Sequence, residues 1–258
     1  MTETLVADIE RIVRDRLADW PAAWEGYHWP GYTWEHTLRV RDLALRLAGE
    51  IGADREVVEL AALLHDIDKA AGREHAAVGA ETAARLLAER SMPIDFTARV
   101  VDAIATHAGG NTPGHPAENL ALGDADLIDA NFGLVGVWRF ITIRAGHGTG
   151  VEETIAAMGE WLPKKDVLLE LLNTDAGRAV ALDRTARMRE FCADLAAALA
   201  DGPADAPLLA LARHINAHCA RGSISDQLPA LHAIAAQADH AGAQAAVARL
   251  ADEAAGRA

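Results

Sequence analysis

The chain has 258 residues, 51% of them hydrophobic, so it can bury at least one substantial core. Its formal net charge is −14. This charge argues against binding long nucleic acids, which are held by clusters of Lys and Arg, but it leaves room for a small phosphorylated ligand.

The sequence also bears on location. No apolar stretch approaches the ~20 residues of a membrane span, so no membrane partner is expected. The N-terminus, MTETLVADIERIVRDRL, is acidic and amphipathic, unlike a secretory signal or a transit peptide. The two cysteines, Cys192 and Cys219, predict neither a disulfide framework nor a zinc ribbon. We expect a cytoplasmic protein.

Apolar residues recur with a period near 3.6 along nearly the whole chain, which predicts an all-α fold. The predicted helices are one over Leu5–Leu17, one over 34–51, one after an N-cap at Asp54, then 75–90, 94–107, one starting at Pro116, 134–145, 151–160, 165–172 and 175–200. The stretch AGGNTPGHP, 108–116, is dense in Gly and Pro and predicts an irregular loop.

One clear linker, DGPADAP at 201–207, divides the sequence. We therefore predict a main domain over 1–201 and a C-terminal appendage of two or three Ala-rich helices over 202–258. The apolar faces of this appendage favour self-association into a homo-oligomer. His214 and His218 lie one turn apart there, and a solvated face explains them better than a metal site.

Histidines and aspartates form a series over the first 135 residues. They are His36, His65, Asp66, His75, His107 and Asp126. His65 and Asp66 close the apolar run AALL, where two polar side chains are costly unless something binds them. Rigid helices that direct imidazole and carboxylate groups inward are how helical bundles build metal sites. Without thiolates, the set suits Mn, Fe, Co, Ni or Zn, with Mg a further option.

Taken singly, these residues have simpler interpretations. His36 fits a surface histidine on an amphipathic helix, His107 a cation at a helix C-terminus, and Asp126 a solvated carboxylate. The series as a whole is not explained in that way.

Three motifs resemble the HD-domain metal-dependent phosphohydrolases: HTLRV at 36–40, AALLHDIDK at 61–69 and DADLIDA at 124–130. The resemblance implies an all-α bundle whose metal ligands are His36, His65, Asp66 and Asp126. LLNTDAGRAVALDRTARMREF, 171–191, is similar to the closing helix of a bacterial subgroup that includes nucleotide pyrophosphohydrolases, so the resemblance spans roughly 20–200. Leu127 stands where that subgroup usually has Arg.

His75 and His107 resemble the extra histidines of HD proteins that hold two metals, with Asp66 bridging them. The set favours two ions over one, and His75 is its least secure member.

A phosphate-binding site also needs cations. Arg39 and Lys69 each lie one turn from a predicted ligand and are candidates to bind the substrate. A salt bridge with Glu35 would also account for Arg39, and a charge at a helix C-terminus for Lys69. Asp68 and Lys69 are the candidate catalytic groups, although Asp68 would also suit a solvated position. His115, in the 108–116 loop, is a candidate substrate contact.

These features favour a phosphohydrolase acting on a small phosphorylated substrate, a nucleotide above all, through metal-activated water. The alternative is an HD-type di-iron oxygenase acting on a small polar or phosphonate substrate, for which Tyr27 or Tyr32 near His36 would gate the site. A third alternative is a regulatory protein whose metal is structural.

Overall fold

We describe a computed structural model of the chain over residues 3–18, 28–203, 206–219, 222–238 and 240–257. These residues form twelve α-helices, which confirms the predicted all-α class. Tyr27 and residues 204–205 of the predicted linker lie outside the described residues. Among the described helices, none is long and apolar enough to cross a membrane.

The first six helices follow the predicted order. They are α1 (Glu3–Ala18), α2 (Pro30–Ile51), α3 (Arg55–Leu64), α4 (His75–Glu89), α5 (Ile94–Thr106) and α6 (Ala117–Asn131), with a short 3-10 helix over Lys69–Glu74 before α4. The side chain of Asp54 accepts a hydrogen bond from the backbone N–H of Glu56 and so caps α3, as predicted. α2 begins four residues before the predicted start, with Pro30 in its first turn.

The remaining helices are α7 (Gly133–Gly146), α8 (Val151–Leu169), α9 (Asp175–Asp201), α10 (Pro207–Ala217), α11 (Ile224–Gln237) and α12 (Ala241–Ala254). The prediction of two helices over 151–160 and 165–172 is wrong, because α8 runs through Pro163 without a break. A proline removes one backbone N–H from a helix. Helix α8 tolerates that loss, with Ile155 and Met158 buried in the turns before it.

The chain divides into two compact units. The first contains residues 1–128 and 171–179, and the second contains residues 129–170 and 180–258. By packing, α10–α12 therefore belong with α7, α8 and most of α9, and they contact α7 directly. The predicted division into a main domain over 1–201 and an appendage over 202–258 stays a prediction.

The core of the first unit lies where α3 packs against α2 and α5. Helix α3 buries seven of its ten residues, and Leu60, Leu63 and Leu64 have no exposed surface. Burying these side chains stabilises the unit by roughly 1.5–3 kcal/mol each. The His65–Asp66 pair follows directly and so enters the same apolar surroundings.

Candidate metal centre

The predicted ligands converge in the first unit from five separate segments. His36 lies within α2, His65 and Asp66 follow α3, His75 begins α4, His107 follows α5, and Asp126 lies on α6. The six side chains lie close together although they come from five different helices or helix ends. Burial is nearly complete for the histidines and for Asp66, with His75 the most exposed at 8%.

Three of the histidines each form a hydrogen bond to a nearby backbone carbonyl, and this bond fixes the orientation of the ring. The Nδ1 atom lies 2.7 Å from the carbonyl oxygen of the residue three positions earlier in His65 and His75, and 2.6 Å in His107. A carbonyl oxygen only accepts, so each Nδ1 carries the proton and each Nε2 keeps its lone pair. Such outer hydrogen bonds orient metal-binding histidines and make Nε2 the ligand atom.

The Oδ2 atom of Asp66 faces the first group of ligands. It lies 3.5 Å from His65 Nε2 and 3.7 Å from His36 Nε2. The Oδ1 atom of Asp126 completes this group, at 3.0 Å from His36 Nε2 and 4.0 Å from His65 Nε2. We call these four residues the first ligand group.

The other carboxylate oxygen of Asp66 faces the second ligand group. Oδ1 lies 3.4 Å from His75 Nε2 and 3.7 Å from His107 Nε2, and the two histidine nitrogens are 3.1 Å apart. Two nitrogens that both present lone pairs cannot hydrogen-bond to each other, so a cation beside them would stabilise the pair. Lys69 supplies one, with Nζ 3.0 Å from Asp66 Oδ1 and 3.1 Å from His75 Nε2.

The donor atoms fit a metal ion. His65 Nε2 and Asp66 Oδ2 are buried and have no hydrogen-bond partner among the described residues. Leaving such groups unsatisfied costs about 1–3 kcal/mol each, and more for a charged group. His36, His65 and Asp126 form one set of donors close enough to share an ion, and His65, Asp66 and His107 form another.

The charge states also suit cation binding. Burial lowers the pKa of His65 to about 4, which keeps its ring neutral near pH 7. Burial alone would raise the pKa of Asp66, but the neighbouring His65 and Lys69 more than offset it and hold the pKa well below its usual range. Burial alone would also raise the pKa of Asp126, but its hydrogen bond to His36 and the charges of the neighbouring histidines together lower it.

Asp124 has a structural role that separates it from Asp126. Its carboxylate accepts hydrogen bonds from the backbone N–H groups of Asn173 and Thr174, each 2.9 Å long, and from the Thr174 hydroxyl at 2.7 Å. Asp124 therefore holds the start of α9, while Asp126, the next acidic residue of α6, faces His36 and His65. This arrangement sets Asp124 apart from the predicted ligand Asp126, whose Oδ1 lies 3.0 Å from His36 Nε2.

Two other predicted site residues contact different partners. Asp68 is buried rather than solvated, and its Oδ1 accepts a hydrogen bond of 2.8 Å from Arg16 on α1. Arg39 is 2% exposed, with its guanidinium 3.7 Å from Glu35 and 5.4 Å from the centre of the Tyr32 ring. Asp68 is thus tied to α1 through one oxygen, and Arg39 lies beside Glu35. The roles of Asp68 in catalysis and of Arg39 in substrate binding stay predictions.

His115 has a local contact as well. Its Nδ1 accepts a hydrogen bond of 3.2 Å from the backbone N–H of Thr112, within the same loop. No hydrogen bond or ion pair described for it reaches the ligand groups, so its role as a substrate contact stays a prediction.

Sequence reasoning missed the residues that fix α6. Glu118 accepts hydrogen bonds from the backbone N–H of Asp54 and from Arg99, and Asn119 donates to Asp102 over 2.7 Å. These contacts tie the start of α6 to α5 and to the cap of α3. The partners lie between 17 and 64 residues apart, and no local pattern signals them.

Residues 33–131 match the family of the HD domain. The chain is 29% identical over 172 residues to the uncharacterised protein YpgQ of Bacillus subtilis, covering 64% of this chain and 83% of that protein. A crystal structure of YpgQ in complex with ADP covers 77% of this chain and all of its own chain, at 23% identity and a TM-score of 0.57. That likeness shows the fold.

Two other relatives share parts of the chain. The crystal structure of a predicted HD superfamily hydrolase from an uncultured Thermotogales bacterium is 28% identical with a TM-score of 0.53, covering 74% of this chain and 91% of its own. Ribonuclease Y of Chloroflexus aurantiacus is 42% identical over 77 residues, 28% of this chain but 14% of that protein. The match over residues 33–131 confirms the predicted resemblance of this part of the chain to the HD domain.

Proposed function

We propose that the chain is a metal-dependent phosphohydrolase acting on a small phosphorylated substrate, and that this substrate is a nucleotide. The observation that carries the proposal is the position of Asp66, whose two carboxylate oxygens face two separate groups of histidine nitrogens. A carboxylate placed in this way can bridge two ions, and paired metal ions are typical of enzymes that cleave phosphate esters.

The two ligand groups would each hold one divalent ion. His36, His65, Asp66 and Asp126 would hold the first, and Asp66, His75 and His107 would hold the second. When bound, divalent ions lower the pKa of water toward neutrality and neutralise charge on a phosphoryl group. The Nδ1–H hydrogen bonds of His65, His75 and His107 keep each Nε2 directed at the centre.

Lys69 would bind the substrate beside the metal. Its ammonium has three N–H donors, of which two are directed at Asp66 and His75 in this structure. The third remains for a phosphate oxygen, and all three become available if a second ion takes its place against these two side chains. Asp68 stays a candidate catalytic group, because Arg16 holds its Oδ1 while its buried Oδ2 has no hydrogen-bond partner among the described residues.

Two findings support a small substrate over a nucleic acid. A structure of the related YpgQ contains ADP. The net charge of −14 works against binding a long phosphate backbone, whose affinity rests on many Lys and Arg contacts. The similarity to Ribonuclease Y covers a small part of that protein and does not extend to the rest of it.

The test measures release of phosphate and pyrophosphate over a panel of nucleotides and sugar phosphates. Stripped full-length protein is reloaded with Mn, Fe, Co, Ni, Zn or Mg. Asp66→Ala removes the bridging carboxylate, and Asp95→Ala changes an exposed aspartate in α5 as the matched control.

We expect release that depends on added metal and that the control retains. The rate of release should fall more than about 100-fold in Asp66→Ala. Even the loss of a group that only hydrogen-bonds to a metal ligand costs about 10–100-fold in metal affinity or activity. Release that survives in Asp66→Ala, or that needs no metal, would contradict the proposal.

The second ligand group also favours one competing function. His75 and His107 both face Oδ1 of Asp66, so this group could hold a second iron beside one held by the first ligand group. A di-iron oxygenase needs such a pair of irons. Failure to release phosphate with every metal, from protein that retains two irons and consumes oxygen with a phosphonate, would replace the hydrolase with this alternative.

A further inference from the structure

Two cationic side chains, Lys165 on α8 and Arg139 on α7, lie in the second compact unit. The Nζ atom of Lys165 lies 2.9 Å from Asn131 Oδ1 and 4.9 Å from the centre of the Trp161 ring. Trp161 is itself stacked on Phe140, with ring centres 4.4 Å apart and planes inclined by 21°. The ammonium group is thus held between an aromatic face and an amide oxygen, in a fixed place.

The charged group that acts most directly on this lysine is another cation. Burial and the charge of Arg139 together lower the pKa of Lys165 to about 8. The Nη1 atom of Arg139 donates a hydrogen bond of 3.1 Å to the carbonyl oxygen of Ala130, immediately before Asn131. The adjacent acidic residue on α8, Asp166, forms an ion pair with Arg189 instead.

Burial and the charge of Arg139 therefore both disfavour the charged form of the half-buried Lys165. An anion bound between Lys165 and Arg139 would relieve the repulsion and would restore charge to the lysine. Phosphate fits such a place, because Arg donates in a planar fork that matches its oxygens and Lys adds a compact positive charge. Trp161 and Asn131 hold the lysine in advance, so little side-chain entropy is lost on binding.

We propose that Lys165, Arg139 and Asn131 form a binding site for the phosphate group of a small molecule, separate in its residues from the metal ligands. The site lies within the second compact unit, since all three residues and Trp161 belong to it. The proposal stands whether or not the metal centre hydrolyses phosphate esters, because it concerns binding and none of the ligand groups takes part in it.

The small number of lysines gives a direct test. The chain has three, Lys69, Lys164 and Lys165, so protein labelled with carbon-13 at the lysine ε position gives three signals that single substitutions assign. The full chain is loaded with zinc, which is diamagnetic, and titrated with inorganic phosphate, with pyrophosphate and with ADP. Lys69 then reports on the metal centre, Lys165 on the proposed site, and the exposed neighbour Lys164 on non-specific binding.

We expect the Lys165 signal to shift and saturate with phosphate or pyrophosphate, while Lys164 shifts little. The apparent pKa of Lys165, read from the same signal, should rise when the anion is bound. A Lys165 signal that does not move while Lys69 does, or Lys164 and Lys165 signals that move together without saturating, would overturn the proposal.

Binding affinities of variants provide a second measurement. By calorimetry, Lys165→Met and Arg139→Gln should each weaken phosphate binding about tenfold, which corresponds to about 1.4 kcal/mol. Lys165→Arg should keep most of the affinity, and Lys164→Met should change it less than about twofold, as expected of an exposed charge. Equal affinities in wild type and Lys165→Met, in protein whose thermal unfolding is unchanged, would contradict the proposal.

Discussion

Because the two oxygens of Asp66 face different ligand groups, His107→Ala and Asp126→Ala should each remove a different metal ion. His107→Ala removes one of three donors at the Oδ1 side and leaves the four donors at the Oδ2 side intact. Asp126→Ala does the reverse, because its carboxylate belongs with His36. Each variant should therefore lose one ion and retain the other.

The size of the effect follows from the number of donors. Loss of a metal ligand should weaken metal binding by at least ~100-fold, about 2.8 kcal/mol. This is the upper value for losing a group that only hydrogen-bonds to a ligand. At a free metal concentration ten times the dissociation constant of the wild-type site, occupancy should fall from about 0.9 to about 0.1.

The assay is metal content per chain after dialysis against buffered metal, measured by elemental analysis. His147→Ala is the matched control, because His147 is an exposed histidine that also follows a helix and bonds to a backbone carbonyl. We expect two ions in wild type and in the control, and one in each of the other variants.

One result would refute the reasoning. If wild type binds one ion and His107→Ala does not change that number, the ammonium of Lys69 occupies the place of the second ion. Lys69→Met should then bind one ion more than wild type, since its side chain leaves Asp66 and His75 without a cation.

Three further predictions concern stability. Asp124→Ala removes a carboxylate that accepts three hydrogen bonds at the start of α9, and should lower the free energy of unfolding by about 2–4 kcal/mol in chemical denaturation; an unchanged midpoint would contradict it. Gly133 (φ 83°) and Gly148 (φ 82°) are both left-handed, but a methyl group at Gly133 would lie 2.7 Å from Oε1 of Glu253, whereas at Gly148 it meets no described atom within 4 Å. Gly133→Ala should therefore lower the melting temperature further than Gly148→Ala, and equal losses would remove the clash as the cause. Burial raises the pKa of Glu253 above its ordinary 4.5, with Arg184 partly offsetting this, so the folded chain binds that proton more tightly. Stability should then fall as pH rises from about 4.5 through the folded pKa, and Glu253→Gln should lose this slope in melting temperature against pH.

The sequence predicted the helices because their signal is local. A period of 3.6 residues records which face of a helix is buried, and α3 shows it in seven buried residues out of ten. The exception is α8, which is one helix through Pro163 where two helices are predicted. Proline disfavours a helix interior but does not forbid it when the surrounding turns are packed.

The candidate ligands could also be predicted from the sequence. A polar pair at the end of an apolar run is costly without a partner, and this pointed to His65 and Asp66. Even the ring orientations of His65, His75 and His107 are local, since each Nδ1 contacts a carbonyl three residues earlier.

What the tertiary structure decided is how distant residues combine. Asp66 faces one histidine group with each oxygen, Asp68 pairs with Arg16 across 52 residues, and Lys165 meets Asn131 across 34. The unit to which α10–α12 belong was decided in the same way. Periodicity and motif spacing show which face of a segment is buried, but they do not show which other segment packs against that face. The partner that a charged or polar side chain finds depends on which segment that is, and the folded chain alone determines it.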